Sequence, residues 1–173
     1  MRRRGGAADA HRQGFSHRQR LVGHKDGETL SLRSNYNDVD LNRNLPTKNW
    51  IPTFINPRYK PGSLACSEPE TIAFMKVLES FAPTIIISLH SFSESLILYN
   101  SGNGKFDVSV EELAKTLELK LVDKMPYEVL GSLNTYSKEN LIPTLTIEAP
   151  RDHTWESKKE LFVQSLTQFV IGL

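Results

Sequence analysis

Two polar side chains stand at the ends of apolar segments that are typical of strands, and they could do chemistry there. His90 closes the β-branched run Thr84–Leu89, and Glu148 closes the segment Thr144–Ile147. Open α/β sheets bind ligands beyond the carboxyl ends of their strands, where a charge is costly without a partner. Taken singly, each residue has a structural alternative, a hydrogen-bonded core histidine at His90 and a salt bridge with Arg151 at Glu148.

A polar loop supplies a second kind of chemistry. Arg33, Asn42 and Arg43 lie in the stretch from Arg33 to Pro46, which is otherwise rich in asparagine and aspartate. Two guanidinium groups and an amide donor suit a carboxylate, which arginine binds through two parallel hydrogen bonds. The alternative is a solvated loop held by turns of its Asn and Asp side chains, and composition alone does not separate the two.

The elements that must position these residues are strands alternating with amphipathic helices, which predicts an α/β sheet covered by helices. The expected strands are 84–89, 95–99 and 145–148, with a short extended segment at 30–32. The first strand is expected to be buried on both faces, because it is continuously apolar. The expected helices follow a capping box at Ser67–Glu70, run from Ser109 through Leu113, Leu117 and Leu121, and run from Glu156 to Val170. Two long loops, 35–50 and 51–63, are expected to carry function.

Composition limits the classes of partner. The 173 residues carry 21 Lys and Arg against 20 Asp and Glu, so a net charge of +1 favours neither nucleic acid nor an anionic membrane. Cys66 is the single cysteine, which excludes an internal disulfide and, with no apolar signal segment, indicates a cytoplasmic protein. Residues 1–24 hold six arginines and one aspartate, and we expect a disordered or unrelated basic leader rather than a nucleic-acid-binding arm.

Three motifs, in order, resemble those of the M14 zinc carboxypeptidases. Val39–Pro46, with Trp50 after it, is similar to the family's DLNRN-P motif. Ser88–Ser91 is similar to its metal-ligand histidine strand, and Leu145–Glu148 to its catalytic-glutamate strand. The resemblance implies a carboxypeptidase-like α/β fold, with a mixed, largely parallel sheet and helices on both faces.

Smaller features extend the resemblance to residues 25–173. Lys25-Asp26-Gly27 is similar to the turn that precedes the family's arginine loop. Within the family, the short span from His90 to Glu148 and the pair Asn49-Trp50 most resemble bacterial murein peptide amidases and related carboxypeptidases.

The resemblance also implies roles for the polar residues. Asn42 and Arg43 would hold the terminal carboxylate of a substrate, and Arg33 would polarise the scissile carbonyl and stabilise the oxyanion. His90 would be a zinc ligand, and Glu148 would be the general base that activates a metal-bound water.

The resemblance to the M14 family also implies roles for two further residues. Tyr127 would be the mobile tyrosine that covers the substrate, with simple packing beside Pro126 as the alternative. Asn134, in the segment 131–136, would line the pocket for the substrate side chain and influence specificity.

One part of the family's zinc site has no counterpart where it is expected. M14 zinc takes two histidines and a glutamate, two of them from an HxxE pair upstream of the arginine loop, and no such pair precedes Arg33. We therefore expect residues 25–173 to be a partial M14 domain, without N-terminal strands and with an incomplete zinc ligand set.

The implied function is that of a zinc-dependent metallocarboxypeptidase or murein peptide amidase. Such an enzyme hydrolyses a peptide bond near a free carboxylate, in a peptide or a peptidoglycan stem peptide. The alternative is an inactive pseudoenzyme that binds carboxylates or peptides.

Overall fold

A computed structural model of the chain describes residues 33–91, 94–149 and 154–173. Its helices and strands, in chain order, are α1 (Pro69–Phe81), β1 (Ile86–Ser91), β2 (Leu96–Asn100), α2 (Asp107–Thr116), β3 (Lys120–Val122), α3 (Leu133–Glu139), β4 (Thr144–Ala149) and α4 (Thr154–Ile171). Short 3-10 turns at Leu41–Arg43 and Pro57–Tyr59 interrupt the two predicted loops. The predicted leader 1–24 and the extended segment 30–32 lie outside the described residues.

The four strands within the described part of the chain form one mixed sheet in the order β1-β4-β2-β3. Strand β4 is parallel to β1 and antiparallel to β2, and β2 is parallel to β3. Since two of these three pairings are parallel, the prediction of a mixed, largely parallel α/β sheet is confirmed.

One face of the sheet carries the hydrophobic core. Ile97 of β2 and Leu145 and Ile147 of β4 are fully buried among side chains of α2 and α4. The helix residues in this cluster include Val110, Leu113, Phe162 and Phe169. Each such side chain contributes about 1.5–3 kcal/mol through burial, so this face anchors β4 and the residues it presents on the other side. Helix α3 contacts β4 and β2 and lines the cavity on that other side, so helices cover both faces as predicted.

The prediction that the first strand is buried on both faces is wrong. Strand β1 is the end strand of the described sheet, with β4 as its neighbour, and the side chain of Leu89 is 66% exposed. A β-branched run reports that a segment fits an extended backbone, but not which elements pack on it.

Helix boundaries also differ from the predictions. Glu68, not Ser67, is the N-cap of α1, and its side chain makes no capping bond. The Ser67 hydroxyl, which was expected to cap the helix, donates to Glu68 Oε1 at 2.6 Å instead. Helix α2 begins at Asp107 and ends before Leu121, which lies on β3. The chain leaves the helix through Glu118, whose φ of 54° is left-handed, and this stops the leucine repeat from continuing.

None of the helices among the described residues combines the length and the apolar character that a membrane crossing requires.

Candidate active site

His90 and Glu148 are register partners on the parallel strands β1 and β4. Their backbones are about 4.8 Å apart, the usual distance between neighbouring strands. The preceding partners on the same face are Ser88 and Thr146, because side chains alternate along a strand. An imidazole and a carboxylate therefore lie side by side at the carboxyl ends of two strands.

The surroundings of His90 favour its neutral form. Burial lowers the pKa of the imidazole, and the positive charges of Arg33 and Arg43 lower that pKa further, against the opposing charge of Asp40. The Ser88 hydroxyl oxygen lies 2.9 Å from Nε2 and shares a hydrogen bond with it. Neutral imidazole is the form that binds metals or accepts a proton.

The loop from Arg33 to Pro46, called the arginine loop below, is organised by Asp40, which is 1% exposed. Its Oδ2 accepts a hydrogen bond from Arg33 Nε at 2.7 Å and lies 3.8 Å from Arg43 Nη1. Its Oδ1 accepts from the backbone N–H of Asn42 at 3.1 Å, which caps the turn Leu41–Arg43. One buried carboxylate thus hydrogen-bonds to Arg33 and to the backbone of Asn42 and makes a longer ion pair with Arg43, as a paired buried charge must be held.

The side chain of Asn42 is oriented by the opposite wall of the site. Its Oδ1 accepts a hydrogen bond from the backbone N–H of Leu133, the first residue of α3, at 2.9 Å. The other polar atom of this amide, Nδ2, is a donor, which is the kind of atom that a carboxylate ligand needs.

These side chains open into one cavity of about 610 Å³ on the polar face of the sheet. All seven residues that the sequence predicted for the site line this cavity, namely Arg33, Asn42, Arg43, His90, Tyr127, Asn134 and Glu148. Further charged side chains in its wall are Arg58, Lys124, Lys138, Asp123 and Glu128. Cationic side chains therefore outnumber carboxylates by five to three, which favours an anionic ligand.

The far wall of the cavity contains Tyr127 and Asn134. The tyrosine side chain is half-exposed, and the asparagine lies in the first turn of α3. Asn134 Nδ2 is buried and has no hydrogen-bond partner among the described residues. A buried donor of this kind is costly until it meets an acceptor, and a ligand in the cavity is one source of such an acceptor.

This wall is held against the arginine loop at Gly131. The Gly131 carbonyl accepts a hydrogen bond from Leu45 N at 3.0 Å, and its φ is +62°. A β-carbon at this position would lie 2.2 Å from the Arg43 carbonyl oxygen and 2.8 Å from Trp50 Cδ1. Only glycine lets the two walls approach this closely.

Sequence reasoning missed the contribution of Tyr59. The centroid of its ring lies 5.1 Å from Arg33 Cζ and 5.0 Å from Arg43 Cζ. The residue stands in the proline-rich loop that was expected to carry function, but no spacing in the sequence connects that loop with the arginines. Asp40 was noticed only as part of a motif, although it is the centre of the arginine loop.

The donors needed for a zinc site are incomplete among the described residues. No three His, Cys, Asp or Glu side chains come together within 33–91, 94–149 and 154–173, and His90 is the single histidine in those ranges. The sequence does contain one HxxE spacing, His153 to Glu156, but it follows Glu148 instead of preceding the arginine loop. His153 lies outside the described residues, and the carboxylate of Glu156 is paired with Lys159. The described donors alone therefore do not fit a three-ligand zinc site.

The model of the M14 peptidase family, the zinc carboxypeptidases, matches residues 14–156 of this chain. The match begins upstream of Lys25, where the resemblance was expected to begin, and it includes every residue that lines the cavity.

Curated relatives agree with this match. Murein peptide amidase A of Vibrio campbellii is 31% identical over 159 residues, covering 82% of this chain and 60% of the relative. The protein of the same name in Escherichia coli K12 is 31% identical over 156 residues, covering 81% of this chain and 61% of the relative. The chain thus spans about 60% of the length of these relatives.

A solved structure shares the fold. The crystal structure of the murein-tripeptide amidase MpaA from Escherichia coli O157 superposes with a TM-score of 0.68 and 27% identity, covering 83% of this chain and 63% of that chain. Because sequence and fold agree over most of its length, this chain belongs to the M14 family of zinc carboxypeptidases.

Proposed function

We propose that this chain carries the substrate-binding and proton-transfer half of an M14 peptidase site, which hydrolyses a peptide bond near a free carboxylate. The observation that supports the proposal is the convergence of a guanidinium pair and an amide donor with the His90–Glu148 pair in one cavity. Donors for an anion and a base thus line the same cavity of about 610 Å³.

The carboxylate end of the substrate is bound by the arginine loop in this proposal. Asn42 Nδ2 and the guanidinium of Arg43 donate to the carboxylate, and such charge-assisted bonds are about twice as strong as neutral ones. Arg33, on the other side of Asp40, donates to the scissile carbonyl and stabilises the oxyanion that forms there. In comparable sites a single donor of this kind contributes about 3 kcal/mol to the transition state.

Proton transfer is assigned to Glu148. Its carboxylate takes a proton from the attacking water and returns that proton to the leaving amine. His90 is a zinc ligand in this proposal, but the described residues supply one imidazole where the metal needs three protein ligands. Zinc binding by this chain is therefore the part of the proposal that most needs a measurement.

The proposed substrate is an acidic peptide, in particular a peptidoglycan stem peptide cleaved next to a diaminopimelate unit. Two relatives that are 31% identical to this chain are named murein peptide amidases, and the cavity has an excess of positive side chains. Tyr127 covers the bound peptide, and the unpartnered amide donor of Asn134 takes an acceptor from the substrate side chain.

A second candidate function is the binding of carboxylates or peptides without hydrolysis. The donor set of the described residues favours it, because one imidazole beside one carboxylate holds zinc poorly, whereas the carboxylate donors are held independently of any metal.

Zinc titration of the purified chain by calorimetry, with His90→Ala as the control, separates these functions. The peptidase proposal predicts one-to-one binding that the substitution abolishes, followed by zinc-dependent release of product from an acidic peptide with a free C-terminus. Glu148→Gln should keep the zinc and lose the hydrolysis. If the chain binds the peptide but does not bind zinc and does not hydrolyse the peptide, the result would support the second function and contradict the first.

A further inference from the structure

One aromatic ring contacts both arginines of the site. The ring centroid of Tyr59 lies 5.1 Å from Arg33 Cζ and 5.0 Å from Arg43 Cζ. These distances are within the range in which a guanidinium is attracted to the negative face of an aromatic ring. Two positive groups that repel each other are therefore gathered at one π system.

The carboxylate of Asp40 does not balance this charge by itself. It contacts Arg33 Nε at 2.7 Å, but its nearest distance to Arg43 Nη1 is 3.8 Å. One negative charge faces two guanidinium groups, so the second cation depends on weaker interactions. The ring of Tyr59 and the backbone carbonyl of Asn42, which accepts from Arg43 Nη1 at 2.7 Å, supply them.

The backbone that carries the ring is linked to the arginine loop. Tyr59 stands in the 3-10 turn Pro57–Tyr59, where Asn56 Oδ1 accepts a hydrogen bond from Arg58 N at 2.9 Å. The next residue, Lys60, accepts a hydrogen bond from Asp40 N at 2.8 Å through its carbonyl oxygen. The backbone segment that carries the ring is thus hydrogen-bonded to the residue that supplies the counter-charge.

We propose that Tyr59 is a positioning residue, which holds the planes of both guanidinium groups before the ligand arrives. This inference rests on the proposed function, since it assigns the two arginines to different atoms of one substrate. Arginine side chains are long and flexible, and a group that orders them in advance removes that entropic cost from binding. The aromatic ring is the part of Tyr59 that acts, not its hydroxyl group.

The test compares three variants of the full chain by the ratio of dissociation constants for an amidated and a free acidic peptide. Tyr59→Phe keeps the ring and should leave this ratio within about twofold of the wild-type value, whereas Tyr59→Leu should lower it about tenfold. Tyr36→Leu removes a tyrosine that is 87% exposed and outside the cavity, and it should leave the ratio of dissociation constants unchanged. Equal losses in Tyr59→Phe and Tyr59→Leu would assign the effect to the hydroxyl and overturn the proposal.

A second readout does not depend on the peptide. The Nε–H order parameters of Arg33 and Arg43, measured by NMR without ligand, should be high in the wild type and in Tyr59→Phe and should fall in Tyr59→Leu. Unchanged order parameters in a folded Tyr59→Leu protein would overturn the positioning role. If the wild type binds the free and amidated peptides equally while the order parameters fall as expected, the proposed function fails and the role of Tyr59 stands.

Discussion

Glu148 on β4 is the register partner of His90 on β1, and the two strands run in the same direction. This relationship places the carboxylate and the imidazole on one face of the sheet and at one edge of it. It also makes the site depend on strand register, because a shift by one residue would send the side chain of Glu148 to the opposite face. Burial of Leu145 and Ile147 on the core face opposes such a shift.

The amide of Asn42 offers a way to remove one carboxylate donor without disturbing the fold. Asn42→Asp keeps the oxygen that accepts from Leu133 N but replaces the donor Nδ2 by a second, negatively charged oxygen. We expect the free energy of unfolding to change by less than about 1 kcal/mol, and the affinity for a peptide carboxylate to fall at least about tenfold. Urea unfolding and calorimetry measure the two quantities.

A matched control for this substitution is Asn103→Asp. Asn103 is exposed, and its Oδ1 accepts from the backbone N–H of Lys105, so the change in chemistry is the same but lies outside the cavity. If Asn42→Asp binds the free peptide as tightly as Asn103→Asp does, the assignment of Asn42 as a carboxylate donor is wrong.

Gly131 should tolerate no side chain. In Gly131→Ala the new β-carbon would meet the Arg43 carbonyl oxygen at 2.2 Å, in addition to the strain of a φ of +62°. In Gly104→Ala the φ of +75° is equally unfavourable, but the nearest atom is a side-chain oxygen of Asp107 at 3.1 Å. We expect Gly104→Ala to cost about 1 kcal/mol of unfolding free energy and Gly131→Ala at least about 2 kcal/mol more.

The same pair of variants also reports on the site. Because the wall that carries Asn134 makes a close contact with the arginine loop at Gly131, a side chain there should push the two apart and weaken peptide binding in protein that is still folded. Equal stabilities for the two alanine variants would show that the walls do not approach as closely as the structure has them.

The loop that carries Asn35 and Asn37 depends on a buried carboxylate, Glu68. Burial alone raises the pKa of this carboxyl group, but hydrogen bonds donated by Ser67, Asn35 and Asn37 outweigh it, and the pKa lies below its ordinary value of 4.5. A carboxyl group with a lowered pKa in the folded state stabilises the fold when it is ionised. This contribution is complete above the ordinary value, and it is lost as the pH falls through the lowered one.

Unfolding measured against pH tests this role. At neutral pH we expect Glu68→Gln to lower the free energy of unfolding by about 1–3 kcal/mol, because two asparagine donors lose a charged acceptor. The difference from the wild type should shrink on acidification below about pH 4.5. Glu79→Gln, on the exposed side of α1, is the control, and a Glu68→Gln difference that is independent of pH would contradict the assignment.

Residues near strand ends and within motifs were predictable because their positions follow from the chain itself. An apolar run that ends in a polar residue predicts that this residue lies at the carboxyl end of a strand in an α/β sheet. His90 and Glu148 lie at such strand ends. The α/β class was predictable for a similar reason, since strands and helices alternate along the sequence, whereas the mixed, largely parallel sheet was implied by the resemblance to the M14 family.

Contacts between distant loops were not predictable from spacing. The approach of Tyr59 to the arginines depends on the hydrogen bond between Asp40 N and the Lys60 carbonyl, which no local pattern records. Strand β3 has three residues, and α3 has seven, which is too short for either periodicity to be distinctive. Ser67 stands where the sequence pattern predicts a helix N-cap, but its hydroxyl donates a hydrogen bond to the Glu68 carboxylate instead of capping the helix.

The most direct test of the proposed site is a calorimetric comparison of an acidic peptide carrying a free C-terminal carboxylate with its C-terminal amide. We expect the free form to bind at least about tenfold more tightly, and we expect Arg43→Gln to remove that preference, because the guanidinium is the main partner of the carboxylate. Lys76→Gln, on the exposed side of α1, should leave the preference unchanged. Equal affinities for the two peptides in the wild type, or a preference that survives Arg43→Gln, would contradict the account.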